Sequence, residues 1–262
     1  SDLLLFEKRV PLRSLFSFFG IANIMKLYQK IGMLFTLGIL CVQPALAGIS
    51  IGTSRIIFHE KNSSQSVDIN NSSTSQTYLI NVGISDTLNA KTANTAFLPT
   101  PALFRIEPDS RNTVRILKKA YNLPSDRESL FYFNVMAIPT GKVGEADTGN
   151  SLGGTLQVAT GNTVKLFYRP DNLPMTQKEA MGKLEFTRAG NSVKVFNPTP
   201  YYISLRKLVV NGRSVKLDVI KGTSMIAPFS ANTYPVAAGQ GITKWTAIND
   251  FGAGETFNGV IK

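Results

Sequence analysis

Short runs rich in Val, Ile, Phe, Tyr and Thr recur along the chain from residue 49 onward, separated by clusters of Asn, Gly, Ser and Pro. Several runs alternate apolar and polar residues, as strands with one buried face do. Strands are predicted at 49–58, 66–73, 77–85, 113–119, 129–138, 155–168, 183–188, 192–197, 201–211, 213–220 and 242–249, and a helix only at 176–184. Many strands at a spacing of about ten residues favour antiparallel β-sandwiches over βαβ units.

A boundary between two domains is predicted at RPDNLP, residues 169–174. Two prolines and an Asp-Asn pair interrupt the strand pattern there. The flanking segments, 48–170 and 175–262, each have the size of one immunoglobulin-like sandwich. The sequence therefore predicts two all-β domains in tandem.

Residues 25–47 have the three parts of a secretory signal peptide. Lys26 and Lys30 give a positive start, twelve apolar residues follow, and a small-residue site ends at Ala47. The apolar stretch is shorter than the roughly 20 residues that span a bilayer. We therefore predict export and cleavage after Ala47, and interpret residues 1–24 as an extension from upstream of the natural start. An uncleaved N-terminal anchor is the alternative.

The charge and the cysteine content of the chain argue against a nucleic-acid partner and against a disulfide. The net charge of +11 falls to 11 − 3 = +8 beyond Ala47, because the leading segment holds five basic and two acidic residues. The basic residues are scattered and form no run, so no nucleic-acid partner is predicted. The one cysteine, Cys41, lies in the signal peptide, so the mature chain has no disulfide and must be stabilised by packing, which about 215 residues can provide. We predict that the mature chain does not insert into a membrane.

Residues suited to catalysis are scarce. The one histidine, His59, is expected at the exposed end of a strand, and with no mature cysteine the usual zinc sites cannot form. No phosphate-binding GxxxxGK[ST] motif occurs. We therefore predict no enzymatic activity, no metal and no cofactor.

Seven motifs, taken together, carry a family resemblance. They are TSRIIF (53–58), FLPTPALFRIEP (97–108), LPSDRESLFYFNVMAIP (123–139), KLFYRP (165–170), NPTPYYISL (197–205), IAPFS (226–230) and INDFGA (248–253). In this order and separation they resemble the periplasmic pilus-assembly chaperones of the PapD type, over residues 48–262. The resemblance implies two immunoglobulin-like β-sandwich domains in an L-shaped arrangement, and a periplasmic location.

The resemblance also implies a mechanism and partners. Such chaperones bind and fold pilus or fimbrial subunits by donor-strand complementation, in which the chaperone lends a strand to an incomplete sandwich. They cap the subunit's interactive edge and deliver it to an outer-membrane usher. An unprotected apolar edge also makes self-capping as a homodimer plausible.

Two cations are implied as the anchor for the subunit. In the family an arginine on the first strand and a lysine on the last strand of the N-terminal domain bind the subunit's C-terminal carboxylate, and the matching residues are Arg55 and Lys165. A carboxylate held by two partly desolvated cations makes strong charge-assisted hydrogen bonds. The alternative interpretation is that Lys165 is an ordinary solvated strand lysine.

The donated strand matches TLQVATGNTVKLFY, residues 155–168. Leu156 and Val158 alternate as one face of a strand requires, and Leu152 extends the row. Thr160 stands where the family usually has another large apolar residue. The alternative is that Leu156 and Val158 fill the core of their own domain.

Glu128, Arg169 and Asp250 match a charge network that joins the two domains in the family. Such a network would set the interdomain angle more than it would add net stability.

Two functions from other classes compete with the chaperone: a structural fimbrial subunit or adhesin, and a secreted sugar-binding sandwich. The first would carry a disulfide and the second a group of exposed aromatic residues.

Overall fold

A computed structural model of the protein describes residues 48–88, 96–140, 158–236 and 239–262. These residues form two β-sandwiches in succession, as predicted. The N-terminal sandwich comprises β1 (Ile49–Ile51), β2 (Arg55–His59), β3 (Ser64–Asn71), β4 (Tyr78–Ser85), β5 (Phe97–Thr100), β6 (Leu103–Ile106), β7 (Ser110–Lys118), β8 (Ser129–Pro139) and β9 (Thr160–Arg169). The angle between the two sandwiches stays a prediction.

Two sheets form the N-terminal sandwich. One has the strand order β1-β3-β7-β5 and the other β2-β9-β8-β4-β6. All pairs are antiparallel except β2 with β9, which run parallel. Alternate residues of each strand face inward and form one apolar core that includes Phe58, Ile69, Phe97 and Phe133.

The single strand predicted at 49–58 is wrong, because the chain changes sheets within it. β1 pairs with β3 in one sheet, whereas β2 pairs with β9 in the other. Gly52 lies in the connection, where an added Cβ would come within 3.3 Å of the Asp68 Cβ. This close approach favours glycine at the crossing point.

The C-terminal sandwich comprises α1 (Gln177–Met181), β10 (Glu185–Ala189), β11 (Ser192–Asn197), β12 (Ile203–Val210), β13 (Arg213–Ser214), β14 (Met225–Ile226), β15 (Ser230–Tyr234), β16 (Gly241–Ile248) and β17 (Gly254–Ile261). Its strands follow the order β13-β12-β16-β17-β10-β11-β15, and β14 pairs with β12. The path passes from β17 to β10 through one residue pair, Phe186 with Ile261. Phe186 and Trp245 meet in the core, with ring centroids 5.0 Å apart.

Four differences from the predicted strands lie in this second sandwich. Of the strand predicted at 213–220, only Arg213–Ser214 forms one. Val215 and Leu217 still pack against the core, so their apolar pattern reflects side-chain burial without a strand. Strands β14, β15 and β17 were not predicted, since β14 has only two residues and the runs SANTY and GETFNGVI are interrupted by Asn or Gly, which are depleted in strands.

The predicted helix at 176–184 forms only over Gln177–Met181 and ends at Gly182. Thr176 caps it: its hydroxyl accepts from Glu179 N at 3.3 Å, and the Glu179 carboxylate accepts from Thr176 N at 2.8 Å. This reciprocal pair satisfies two backbone donors at the helix start. Ala180 and Met181 then lie buried in the core.

Thr176→Ala is expected to lower the free energy of unfolding by about 1 kcal/mol, because one backbone N–H loses its acceptor. Urea unfolding followed by the fluorescence of Trp245 measures this, since Trp245 is buried and its indole donates to Met181 O at 2.9 Å. Thr176→Ser keeps the hydroxyl and should retain most of the stability. An unchanged midpoint in Thr176→Ala would show that the cap is not needed.

Within the described ranges, no helix combines the length and apolar character needed to cross a membrane.

Candidate functional site

The alternation of β9 separates its residues between two faces. Leu166 and Tyr168 belong to the core of the N-terminal sandwich. Lys165, Phe167 and Arg169 therefore lie on the opposite face. Phe167 is nevertheless 2% exposed, because its ring meets Tyr202 of the C-terminal sandwich at a centroid distance of 5.8 Å. This face of β9 thus borders the junction of the two sandwiches.

Arg55 lies directly beside Lys165, as its register partner across the parallel β2–β9 pair. Its guanidinium donates to the Ile248 carbonyl at 3.0 Å and stands 5.8 Å from the centroid of the Phe167 ring. The Arg55 Nε atom is buried and has no hydrogen-bond partner among the described residues. Burial lowers the pKa of Arg55, against the opposing attraction of nearby carboxylates. A buried donor without an acceptor is costly, because the hydrogen bond that it would make to water is not replaced.

Lys165 is half-buried, and its ammonium group has no hydrogen bond or ion pair within the described part of the chain. Burial, and next the repulsion of Arg55, lower the pKa of Lys165 to about 8. An ordinary solvated lysine has no such environment. Arg55 and Lys165 are thus two adjacent, partly desolvated cations, and neither is ion-paired within the described part of the chain.

The structure also brings together Glu128, Arg169 and Asp250. Arg169 donates from Nε to Glu128 at 2.8 Å and from its two terminal nitrogens to Asp250 at 2.7 and 2.8 Å. The second oxygen of Glu128 accepts from Tyr202 N at 2.9 Å. The network therefore ties β9 and the start of β8 to the C-terminal sandwich, and leaves neither carboxylate free to neutralise Lys165.

Burial raises the pKa of Glu128 to about 6, although Arg169 and the Tyr202 N–H favour its charged form. The Glu128 side chain is only 2% exposed. Its charge is thus tolerated because Arg169 compensates it.

Only some of the residues predicted for the donated strand lie within the described part of the chain. Leu152 and Leu156 lie outside the described residues. Val158 is 61% exposed, so it does not fill the core of its own domain, and within the described residues β9 begins only at Thr160. Thr160 is exposed as well, whereas Val164, on the same face, packs against the core. This face of β9 is therefore packed against the core at Val164 and exposed to solvent at Thr160 and Val158.

The first half of β9 also has an open edge. β8 pairs with β9 along Thr160–Tyr168, but β2 begins its pairing only at Lys165. Among the described residues, no strand pairs with the other side of β9 from Thr160 to Val164. Such an edge presents unpaired backbone groups that another strand can bind.

Two aromatic residues of the site were not anticipated from the sequence. Tyr201 lies under the Arg169 guanidinium, 5.1 Å from its ring centroid, and Tyr202 covers Phe167. Tyr201 and Tyr202 directly follow NPTP in the sequence. Two adjacent aromatic residues after this proline-containing segment were the signal that could have indicated them as part of the site.

Comparisons with known proteins give one consistent result. The family model "Pili and flagellar-assembly chaperone, PapD N-terminal domain" matches residues 48–174, and "Pili assembly chaperone PapD, C-terminal domain" matches residues 179–258. Chaperone protein FimC of Escherichia coli K12 is 34% identical over 225 residues, covering 85% of this chain and 88% of FimC. The probable fimbrial chaperone SfmC of the same organism is 37% identical over 212 residues, covering 80% and 86%.

Solved structures agree. The Escherichia coli chaperone DraB has a TM-score of 0.70 and 30% identity, covering 82% of this chain and 97% of DraB. A structure of the Salmonella enterica SafA pilin in complex with the SafB chaperone has a TM-score of 0.68 and 27% identity, covering 83% and 98%. These relatives are chaperones, which disfavours the structural subunit. This chain therefore belongs to the PapD family of pilus-assembly chaperones.

Proposed function

We propose that this chain binds fimbrial subunits by adding its strand β9 to their incomplete fold, while Arg55 and Lys165 hold the subunit's C-terminal carboxylate. The observation that carries this proposal is the pair of adjacent cations on neighbouring strands, neither of which has an ion pair among the described residues. A carboxylate would supply acceptors to both. Each charge-assisted hydrogen bond contributes about 1.5–3 kcal/mol.

The open edge of β9 supplies the other half of the mechanism. Its unpaired backbone groups give affinity for any strand, whereas alternate side chains select which strand fits. Lys165 lies at the end of this edge, so a carboxylate held there sets the register of the whole added strand. A shift by one residue would turn every side chain to the other face. A carboxylate held at Lys165 would therefore place Val158 and Thr160 against the subunit.

The network of Glu128, Arg169 and Asp250 serves orientation in this proposal. It holds the C-terminal sandwich beside the cations, so that the Ile248 carbonyl positions the Arg55 guanidinium. Its members are not proposed to contact the subunit.

The remaining parts of the proposal concern the cellular setting. Family members act in the periplasm, and we propose that this chain is exported by the signal peptide at 25–47, with cleavage after Ala47. The mature chain would then comprise the domains 48–170 and 175–262. It would deliver its subunit to an outer-membrane usher without catalysing any reaction, and would cap its own open edge as a homodimer when no subunit is bound.

Co-expression of the mature chain with fimbrial subunits in a bacterial periplasm tests the function. We expect a soluble one-to-one complex by size-exclusion chromatography with light scattering, and insoluble subunit when the chaperone is omitted. A complete, self-sufficient sandwich, such as a subunit fused to its own complementing strand, is the control and should not bind. Equal binding of the incomplete and the completed subunit would contradict strand addition.

Binding of the carboxylate should weaken as the pH rises above about 8. The pKa of Lys165 in the free chaperone is about 8, so above that pH the lysine is largely neutral and must take up a proton to bind. The dissociation constant of a subunit's C-terminal peptide should rise by up to about tenfold per pH unit above this point and stay nearly constant from pH 6 to 7.5. Isothermal titration calorimetry measures it.

Lys165→Arg is the control for this pH dependence, since arginine keeps its charge throughout the range. Its affinity for the peptide should change little between pH 7 and 9.5. A dependence equal to that of the wild type would show that another group titrates.

A further inference from the structure

Lys165 has a register partner on each side in the sheet, and the proposed function uses only one of them. Across the parallel β2–β9 pair it lies beside Arg55, and across the antiparallel β8–β9 pair it lies beside Tyr132. Register partners share one face of a sheet, and directly opposite residues of an antiparallel pair have Cβ atoms about 4.5–5.5 Å apart. Arg55, Lys165 and Tyr132 therefore form one row across three neighbouring strands.

The alternation of β8 directs Tyr132 away from the core. Phe131 and Phe133, its neighbours in sequence, are both buried in the core of the N-terminal sandwich, so Tyr132 lies on the opposite face with Lys165. Burial raises the pKa of Tyr202, and the nearby Glu128 and Tyr132 side chains raise it further. The Tyr132 phenol is thus close to Tyr202 of the C-terminal sandwich, at the junction that Lys165 also borders.

The hydroxyl of Tyr132 is a donor without an acceptor. The residue is half-buried, and among the described residues its hydroxyl makes no hydrogen bond. Burial raises the pKa of Tyr132, so the hydroxyl keeps its proton at neutral pH and can donate. Because the residue is only half-buried, a ligand at Lys165 can still reach this donor.

The polar neighbours of Tyr132 on this face are paired with one another. Thr163 donates to Asn134 Oδ1 at 2.8 Å, and Asn134 Nδ2 donates to Ser85 Oγ at 2.9 Å. Ser85, the register partner of Tyr132 on β4, donates in turn to Thr87 O at 2.9 Å. The Tyr132 hydroxyl stands outside this chain of hydrogen bonds.

A carboxylate beside Lys165 has acceptor sites for a third donor. Its two oxygens offer about four lone-pair sites, more than one bond from each of two cations would use. Building on the proposed function, we propose that the Tyr132 hydroxyl donates to the subunit's C-terminal carboxylate alongside Arg55 and Lys165. A terminal amide carries NH₂ in place of one oxygen and would set this donor against the donors of the row. Tyr132 thereby helps the site to select a free chain end.

Tyr132→Phe tests this role, because it removes the hydroxyl and keeps the ring. Two synthetic peptides from the C-terminal strand of a fimbrial subunit, one ending in a free acid and the other in an amide, are titrated calorimetrically into the mature chain. The acid should bind Tyr132→Phe about tenfold more weakly than it binds the wild type, whereas the amide should bind both equally. An unchanged preference for the acid, or an equal weakening of both peptides, would overturn this role.

Tyr202→Phe is the matched control, since it removes the same hydroxyl from a neighbouring aromatic residue outside the row. Tyr121→Phe, at a tyrosine that is 50% exposed, is the control away from the site. Both should keep the wild-type preference for the acid. A loss of preference in Tyr202→Phe as large as that in Tyr132→Phe would contradict the assignment to Tyr132.

The same titrations separate this role from the proposed function. If the wild type bound acid and amide equally, the anchor would fail and the role of Tyr132 with it. If the wild type preferred the acid and Tyr132→Phe kept that preference, only the role of Tyr132 would fail.

Thermal unfolding gives an independent readout. The hydroxyl has no partner among the described residues of the free chaperone, so Tyr132→Phe should leave the unfolding midpoint unchanged. A lowered midpoint would assign the hydroxyl to the fold and contradict a role reserved for the ligand.

Discussion

Lys165→Glu is expected to abolish the soluble complex with a fimbrial subunit while the chaperone itself stays folded. The change removes one of two cations that face the carboxylate and places a negative charge beside it. The lost charge-assisted hydrogen bond alone contributes about 1.5–3 kcal/mol, and the repulsion adds to this, so the affinity should fall by at least about a hundredfold. The introduced carboxylate can pair with Arg55, its register partner, so the fold should persist.

Lys244→Glu provides the matched control for this prediction. It makes the same change of charge at an exposed lysine on β16, outside the site. The complex recovered after co-expression, quantified by size-exclusion chromatography, should be lost only for Lys165→Glu. If both variants retained the complex, Lys165 would be a surface lysine without a role in binding.

Arg169→Ala is expected to lower the free energy of unfolding by about 3–5 kcal/mol, since it leaves Glu128 buried without its cation. The intact network adds far less net stability than this, because burying three charged groups offsets much of their attraction. Urea unfolding, followed by the fluorescence of Trp245 and by circular dichroism, measures the loss. Arg105→Ala is the control. It breaks the ion pair between Arg105 and Glu107, whose side chains are 64% and 58% exposed, and it should leave the unfolding midpoint unchanged because exposed ion pairs add little stability.

The pH dependence of this loss identifies its cause. The pKa of Glu128 is about 6 with Arg169 present, and removing the cation raises it further. At pH 5 the carboxyl is therefore largely neutral and needs no cation, so the loss in Arg169→Ala should be smaller at pH 5 than at pH 8. An equal loss at both values would mean that the packing of Arg169 on Tyr201 matters more than the charge of Glu128.

Local pattern was sufficient to predict most strands of the fold. The runs SLFYFNVMAIP and SVKVFN alternate clearly, and both form strands close to the predicted bounds. The pattern failed where tertiary contacts decide the structure. Residues 49–58 look continuous but change sheets near Gly52, and residues 215–220 alternate apolar and charged residues without forming a strand.

The site was predicted from the family motifs, and its geometry was not. KLFYRP alone could not show that Lys165 lies beside Arg55, because the two are brought together by a parallel pair of strands 110 residues apart in sequence. Composition could not show that Arg55 Nε has no hydrogen-bond partner among the described residues, or that the Phe251 side chain is exposed. Such features depend on how the two sandwiches meet and on the turns that join their strands.

We propose that Arg55 and Lys165 together recognise a terminal carboxylate. The most direct measurement compares two synthetic peptides from the C-terminal strand of a fimbrial subunit, one ending in a free acid and the other in an amide, by calorimetric titration into the wild type and Lys165→Gln. We expect the acid to bind the wild type at least about tenfold tighter than the amide, and we expect this preference to shrink in Lys165→Gln. Equal binding of acid and amide by the wild type would contradict it.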